Sequence, residues 1–243
     1  MKIFAYIRSY IQWLLFGIVL TLYVLLIFLI GRFFSRNRFE KFLQTFTKHM
    51  IMVSGIDLHV HGYENIDHNK SYVVMFNHFN FLDHFVIYNA LKLRLRGLEK
   101  EAHFHWPVYG TFMRQIGIIP IPPRGNTEKA LEALQIAKNE MQNGTSMLIA
   151  PEGTRTITGK LGKFKKGGFH LAIQTQTEIL PVVFKGMYEF NHKKTILIRP
   201  CRVDLLIEKP VPTQGLTESD VSKLRDQIRG IYDQYSQDNE PVG

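Results

Sequence analysis

Residues 11–30 read IQWLLFGIVLTLYVLLIFLI, twenty consecutive positions without a charge. As a helix such a run extends about 30 Å, the thickness of a bilayer's hydrocarbon core. It is too long for the apolar centre of a signal peptide, and Gly31-Arg32-Phe33-Phe34 is not a small-residue cleavage site. The expectation is an N-terminal membrane-embedded helix. Residues 33–52 supply a partner for it, because Phe39, Phe42, Leu43 and Phe46 recur at helical spacing among basic residues. A span across the bilayer and a helix lying in one leaflet both fit this pattern, and sequence does not separate them.

The formal charge of +9 requires an anionic partner or surface. Position helps to choose which. Among residues 1–50, Lys2, Arg8, Arg32, Arg36, Arg38, Lys41 and Lys48 stand against Glu40 alone, and they flank the apolar run. That favours a membrane surface over nucleic acid, for which zinc-finger spacing, an RNA-binding aromatic signature and an isolated basic arm are all missing. If the helix spans, the excess of positive charge after it places the remainder of the chain in the cytosol, at the inner membrane. The single cysteine, Cys201, forms no internal disulfide and lies in the apolar stretch 196–207, so an inert buried thiol is expected.

After residue 55 the pattern alternates. Strands are predicted at 56–61, 72–76, 117–121, 146–150 and 180–184, with one or two more within 196–207. Helices are predicted at 82–95, 107–116, 126–142 and 169–176. The helix at 126–142 carries Ala130, Leu131, Leu134, Ile136 and Ala137, is capped by Asn126 or Thr127, and ends at Gly144. Thr217 opens a last helix with Asp220 placed as in a capping box, and Val221, Leu224, Ile228, Ile231 and Tyr235 line one face. Strands alternating with helices imply an α/β layered fold around a mainly parallel or mixed sheet.

The segment Asn77-His78-Phe79-Asn80-Phe81-Leu82-Asp83 follows a predicted strand, and open α/β sheets place ligand sites at such ends. On a straight helix, positions five apart point about 140° from one another. A turn at 79–81, with the helix starting near Leu82, brings Asp83 back to the imidazole. A neutral histidine accepts a proton near neutral pH, and a carboxylate fixes its tautomer and stabilises the imidazolium. Such a pair activates a substrate hydroxyl without an enzyme nucleophile, and no G-x-S-x-G elbow is present. His84 is the rival imidazole. Further on, the strand at 146–150 runs into Pro151-Glu152-Gly153-Thr154-Arg155. Gly153 admits a ligand close to the backbone, Arg155 offers a fork suited to phosphate, and Thr154 is a further donor. Glu152 is placed to accept from a substrate hydroxyl or to hold Arg155. Lys160, Lys163, Lys165 and Lys166 follow, interleaved with glycines.

These segments, in order, resemble the glycerolipid acyltransferase superfamily, and within it the 1-acylglycerol-3-phosphate acyltransferases. Asn77-His78-x4-Asp83 is the first motif and residues 117–124 the second. Glu152-Gly153-Thr154-Arg155 with Lys163-Phe164-Lys165-x-Gly167 is the third, and Leu180-Pro181-Val182-Val183 the fourth. Three positions depart from the pattern. Asn80 stands where the family often has serine, Thr156 replaces a common serine, and Arg124 falls one position late, so that Arg114 is a second candidate for its role. The resemblance implies His78 and Asp83 as catalytic residues. It implies Glu152, Gly153, Thr154, Arg155, Lys163 and Lys165 as substrate-binding, with Arg124 as a phosphate ligand and Pro181 structural near the acyl site. It further implies an N-terminal membrane anchor over residues 1–52, an acyltransferase domain over 53–243, and acylation of 1-acylglycerol 3-phosphate to phosphatidic acid at a phospholipid membrane, with another lysophospholipid or glycerol 3-phosphate as the alternative acceptor. The donor would be acyl-CoA or an acyl carrier protein thioester, with no metal and no other cofactor. Two rival readings are a metal-dependent hydrolase built on His59/His61 and His103/His105, each pair sharing one strand face and joined by His78, Asp83 and His84, and a non-catalytic basic membrane adaptor.

Overall fold

The computed structural model describes residues 2–30, 33–34, 36–107, 109–123 and 125–236. The apolar run lies within a longer helix, α1 (Lys2–Ile30), antiparallel to which packs α2 (Arg36–Ser54). Beyond them come β1 (Asp57–His61), β2 (Val73–Phe76), α3 (Asp83–Leu91), β3 (Leu95–Lys100), α4 (Tyr109–Gln115), β4 (Ile119–Ile121) and α5 (Thr127–Gln142). The chain continues with β5 (Ser146–Ile149), α6 (Gly167–Thr175), β6 (Ile179–Lys185), α7 (Met187–Phe190), β7 (Arg202–Ile207) and α8 (Val221–Ser236). The seven strands form one mixed sheet in the order β1-β7-β6-β2-β5-β3-β4. Strands β6, β2, β5, β3 and β4 run parallel, while β7 is antiparallel to β6 and parallel to β1.

The pleat sends alternate side chains to opposite faces, and both faces are covered. Val74 and Phe76 of β2 join Leu180 and Val182 of β6 in a cluster beneath α1, α2 and α3. Val73 and Met75 turn the other way, to Ala133 and Ala137 of α5, Phe169 and Ala172 of α6, and Leu224 and Ile228 of α8. Buried on both sides, the central strands are nearly unbroken apolar runs, as parallel strands are. Phe16, Val24 and Ile27 of α1 and Leu43, Phe46 and Met50 of α2 belong to the first cluster, so the N-terminal helices cap the sheet directly.

Several expected boundaries move. The helix predicted at 82–95 stops at Leu91, where Lys92 takes a left-handed conformation (φ 51°), and Leu95–Lys100 is a strand between β5 and β4. Leu-Arg-Gly-Leu-Glu-Lys contains no β-branched residue and gives no strand signal. Only Arg202–Ile207 of the stretch 196–207 is a strand. His103 and His105 lie in a 3₁₀ turn, Glu101–His105, and not on a strand face. Asn126 caps α5, but its buried face is Ala133, Ala137 and Met141, while Leu131 and Ile136 are exposed. The capping box of Thr217 and Asp220 is present and closes a 3₁₀ turn that leads into α8, whose buried aromatic is Tyr232; Ile231 and Tyr235 are half-buried.

Candidate active site

Parallel strands β2 and β5 are neighbours in register, with Met75 opposite Ile149. Their chains therefore emerge side by side at the C-terminal end of the sheet. The first carries Asn77 and His78, and the second carries Pro151 and Glu152. Asn77 extends the sheet pairing past the end of β2: its Nδ2 donates to the Phe184 carbonyl at 3.1 Å, and its Oδ1 accepts from the Phe184 amide at 2.8 Å. Asn80, buried, makes the turn the offset required. Its Oδ1 accepts from Leu82 N at 2.8 Å, and its Nδ2 donates to the Met187 carbonyl at 2.9 Å. This is an Asx-type turn, for which asparagine is suited because it serves two chain segments at once.

The turn brings Asp83 back onto His78. Nδ1 of His78 lies 2.8 Å from Asp83 Oδ2, and the same oxygen accepts from the amides of Phe79 (2.6 Å) and Asn80 (3.0 Å). The Asp83 side chain is fully buried, whereas that of His78 keeps 16% of its surface open. The pair thus has a fully enclosed carboxylate and a partly open imidazole. Burial holds the Asp83 carboxyl above the usual carboxylate range, opposed by the hydrogen bonds from His78 and the two amides. With Nδ1 donating to Asp83, Nε2 carries the lone pair. His84 stands edge-on to the His78 ring at 5.3 Å and to Phe76 at 5.2 Å. Burial, with a smaller effect of His78, pushes its pKa down to about 3. It is a poor base at neutral pH.

Glu152 does not hold Arg155, as one of its two expected roles required, and is bonded instead to two backbone amides. It is buried, and its Oε1 accepts from the His78 amide at 3.0 Å while Oε2 accepts from the Gly162 amide at 2.6 Å. It joins three chain segments and forms no ion pair with Arg155. Burial raises its pKa against those two hydrogen bonds. The Thr156 amide donates to the His78 carbonyl at 2.9 Å, so His78 is held at both its backbone groups. Gly153 has φ +67° and lies beneath Lys165; a β-carbon there would come 2.3 Å from the lysine Nζ. Thr154 is exposed and Arg155 half-buried, and the guanidinium makes no hydrogen bond or ion pair among the described residues. Lys163 and Lys165 are exposed, and the Lys165 amide donates to the Pro151 carbonyl at 2.7 Å. Pro181 is buried on β6 opposite Met75. Arg124 lies outside the described residues. Arg114 donates to the Phe104 carbonyl at 2.8 Å, and among the described residues no contact joins it to the loops around His78.

The histidine pairs do not converge. His59 and His61 lie on β1, at one edge of the sheet, bonded to Asp57 and Asp204. His103 follows β3 near the opposite edge and pairs with Glu99. Among the described residues no three His, Cys, Asp or Glu side chains are grouped to hold a metal. Cys201 is half-buried and not fully so, and burial pushes its thiol up to about 11.

Two residues on the site's rim gave no signal in the sequence. Arg229, on the polar side of α8, donates to the Gly162 carbonyl at 2.6 Å and lies 5.3 Å over the Phe164 ring. Lys193 reaches the second loop from the connection between α7 and β7, its Nζ 3.3 Å from Thr154 Oγ1 and 3.4 Å from the Arg155 carbonyl. Both depend on contacts across the chain that no local spacing encodes.

The family model described as Acyltransferase matches residues 57–185, just over half of the chain. The chain is 30% identical over 229 residues to 1-acyl-sn-glycerol-3-phosphate acyltransferase alpha of Homo sapiens, covering 94% of this chain and 79% of that protein. It is 30% identical over 184 residues to 1-acyl-sn-glycerol-3-phosphate acyltransferase of Saccharomyces cerevisiae, covering 74% and 60%. The crystal structure of the 1-acyl-sn-glycerophosphate (LPA) acyltransferase PlsC from Thermotoga maritima superposes with a TM-score of 0.82 at 24% identity, over 98% of this chain and 99% of that one.

Proposed function

Because this chain belongs to the acyltransferase family, we propose that it moves a fatty acyl group from a thioester to the free hydroxyl of a 1-acylglycerol 3-phosphate, forming phosphatidic acid for phospholipid synthesis. The observation that carries the reading is the His78–Asp83 pair, with Nδ1 bound to a buried carboxylate and Nε2 left to the substrate. Nε2 takes the proton of the acceptor hydroxyl as its oxygen attacks the thioester carbonyl. Asp83 holds the tautomer and stabilises the imidazolium. The tetrahedral adduct collapses with cleavage of the C–S bond, and the imidazolium returns its proton to the departing thiolate. The donor, acyl-CoA or an acyl carrier protein thioester, is already activated, so these steps require no metal or redox group.

Glu152 fixes the position of His78 through the backbone, while Gly153, Thr154 and Arg155 receive the acceptor's phosphate. Lys163, Lys165 and Arg124 add positive charge around it. Residues 1–52 anchor the acyltransferase domain of residues 53–243 to a phospholipid membrane, with the site on the cytosolic side of the inner membrane. Support for the anchor is α1, a helix long and apolar enough to cross a membrane by length and composition, only 22% buried over its most apolar window. His78→Ala is expected to lower acyl transfer to lysophosphatidate by about a thousandfold with circular dichroism and membrane association unchanged. Near-normal turnover in that variant sinks the dyad assignment. Turnover of another acceptor by the native enzyme, with none of lysophosphatidate, redirects the substrate.

A further inference from the structure

The connection between α7 and β7 touches both the membrane-facing helix and the second loop of the site. At one end it hangs from α1. Ile198 N donates to Ser9 Oγ at 2.9 Å, Arg8 Nη2 donates to the Ile198 carbonyl at 3.1 Å, and Trp13 Nε1 donates to the Ile196 carbonyl at 2.8 Å. Its own shape is set by Asn191, buried, whose Nδ2 donates to the carbonyls of Thr195 (3.1 Å) and Leu197 (2.8 Å). At the other end Tyr188 Oη donates to the Ile157 carbonyl at 2.8 Å, and the Tyr188 ring stacks on His192 at 4.3 Å. Between these fixed points stands Lys193, half-buried, with its ammonium on Thr154 and Arg155.

No carboxylate pairs with Lys193 among the described residues; its contacts are a hydroxyl and a carbonyl. An ammonium held by neutral acceptors beside an unpaired guanidinium is electrostatically incomplete, and a dianionic phosphate completes it. Three cations approach the same loop from three parts of the chain: Arg155 from the loop itself, Lys165 across Gly153, and Lys193 from the α7–β7 connection. The neighbouring Thr156 amide is bonded to the His78 carbonyl, which puts this charge beside the catalytic base.

We infer that Lys193 is a phosphate-binding residue for the acceptor lipid, supplied to the site by a strap suspended from α1. The inference rests on the proposed acyltransferase reading and adds to it a contact that none of the sequence motifs contains. Phosphate also occurs on the thioester donor, if that is acyl-CoA, so the test must separate the two sources.

Binding of lysophosphatidate in neutral detergent micelles, and steady-state transfer from acyl-CoA to lysophosphatidate and to the phosphate-free monoacylglycerol of the same chain, are compared for native enzyme, Lys193→Ala and Lys193→Arg. Lys193→Ala is expected to weaken lysophosphatidate binding and raise its KM about tenfold, with Lys193→Arg within about threefold of native, as for a lost and a conserved charge-assisted contact. The KM for acyl-CoA and the behaviour of monoacylglycerol stay unchanged. Equal losses on both lipids show a structural role only, and a loss confined to acyl-CoA assigns Lys193 to the donor; either overturns the inference. So do unchanged lysophosphatidate affinity in Lys193→Ala and failure of the native enzyme to bind lysophosphatidate. Native enzyme that binds lysophosphatidate but does not acylate it sinks the substrate reading and leaves the phosphate contact standing.

Discussion

Asp83 and His84 are consecutive residues with opposite electrostatic settings: burial raises the carboxyl pKa of the first and lowers the imidazole pKa of the second. Asp83 turns into the core beside His78, where burial raises its pKa against the hydrogen bonds from His78 and two amides, and its Oδ1 has no hydrogen-bond partner among the described residues. His84 faces Phe76 and the His78 ring, where a second positive charge is disfavoured both by burial and by the neighbour. Its pKa falls from 6.5 to about 3, so the unfolded chain takes up a proton in this window while the folded chain does not. The sign follows from linkage: stability present above the unfolded pKa is lost as pH falls towards the folded one. His84→Phe removes that titration while keeping an aromatic ring in place. Its thermal midpoint is expected to fall less than the native one between about pH 6.5 and pH 4, the comparison being made in a single detergent. Parallel midpoint curves for the two proteins contradict the setting assigned to His84.

Helix α2, packed on the core through Leu43, Phe46 and Met50, also carries one acidic residue that ties it to β3 and α3. Glu40, the lone acid among the basic residues of the first fifty, pairs through Oε1 with Arg96 of β3 at 2.7 Å and with Arg94 at 3.7 Å, and accepts from the hydroxyl of Tyr88 on α3. Arg96 is only 8% exposed. Removing one partner of a buried pair strands the other charge, which costs about 3–5 kcal/mol, whereas replacing both with apolar groups is close to neutral. Glu40→Ala should therefore lower the denaturation midpoint sharply, and Glu40→Ala with Arg96→Met should recover most of the loss. A Glu40→Ala protein as stable as the native one refutes a buried latch. The sequence showed this residue only as an exception in a charge pattern. It was legible where a local rule governs the outcome: the apolar run of α1, the cap at Asn126, the turn that returns Asp83 to His78, and the capping box at Thr217. It was not legible where the determinant lies across the fold. Strand β3, without β-branched residues, is defined by its place between β5 and β4. Glu152 serves His78 and Gly162, which only the register of β2 and β5 brings together. Lys193 reaches Thr154 over 39 residues.

At the scale of the whole molecule, the pairing of α1 with α2 bears on how the enzyme sits in a bilayer. Gln12 near the start of α1 donates to the Ser54 carbonyl at the end of α2 at 2.9 Å, and Tyr23 Oη lies 2.8 Å from His49 Nδ1 further along. The hairpin therefore leaves and re-enters the body on one side. Its N-terminal end is fastened there again through Arg8, Ser9 and Trp13, and Trp13 stacks on Phe81 of the turn between His78 and Asp83 at 4.9 Å. The outward face of α1 presents Ile7, Ile11, Leu14, Ile18, Leu22 and Leu25, all exposed, whereas α2 exposes Arg38, Lys41 and Lys48 along a stripe. An apolar face beside a basic stripe suits the boundary between acyl chains and head groups, and carrying that stripe through the hydrocarbon core is unfavourable. The hairpin is accordingly expected to lie within one leaflet, with Lys2 on the same side of the membrane as the catalytic domain. In a Cys201→Ala background, Lys2→Cys and Glu189→Cys should react with an impermeant maleimide from the same side of sealed vesicles. Labelling of the two from opposite sides requires α1 to cross the bilayer, and with it the separation of α1 from the strap that carries Lys193.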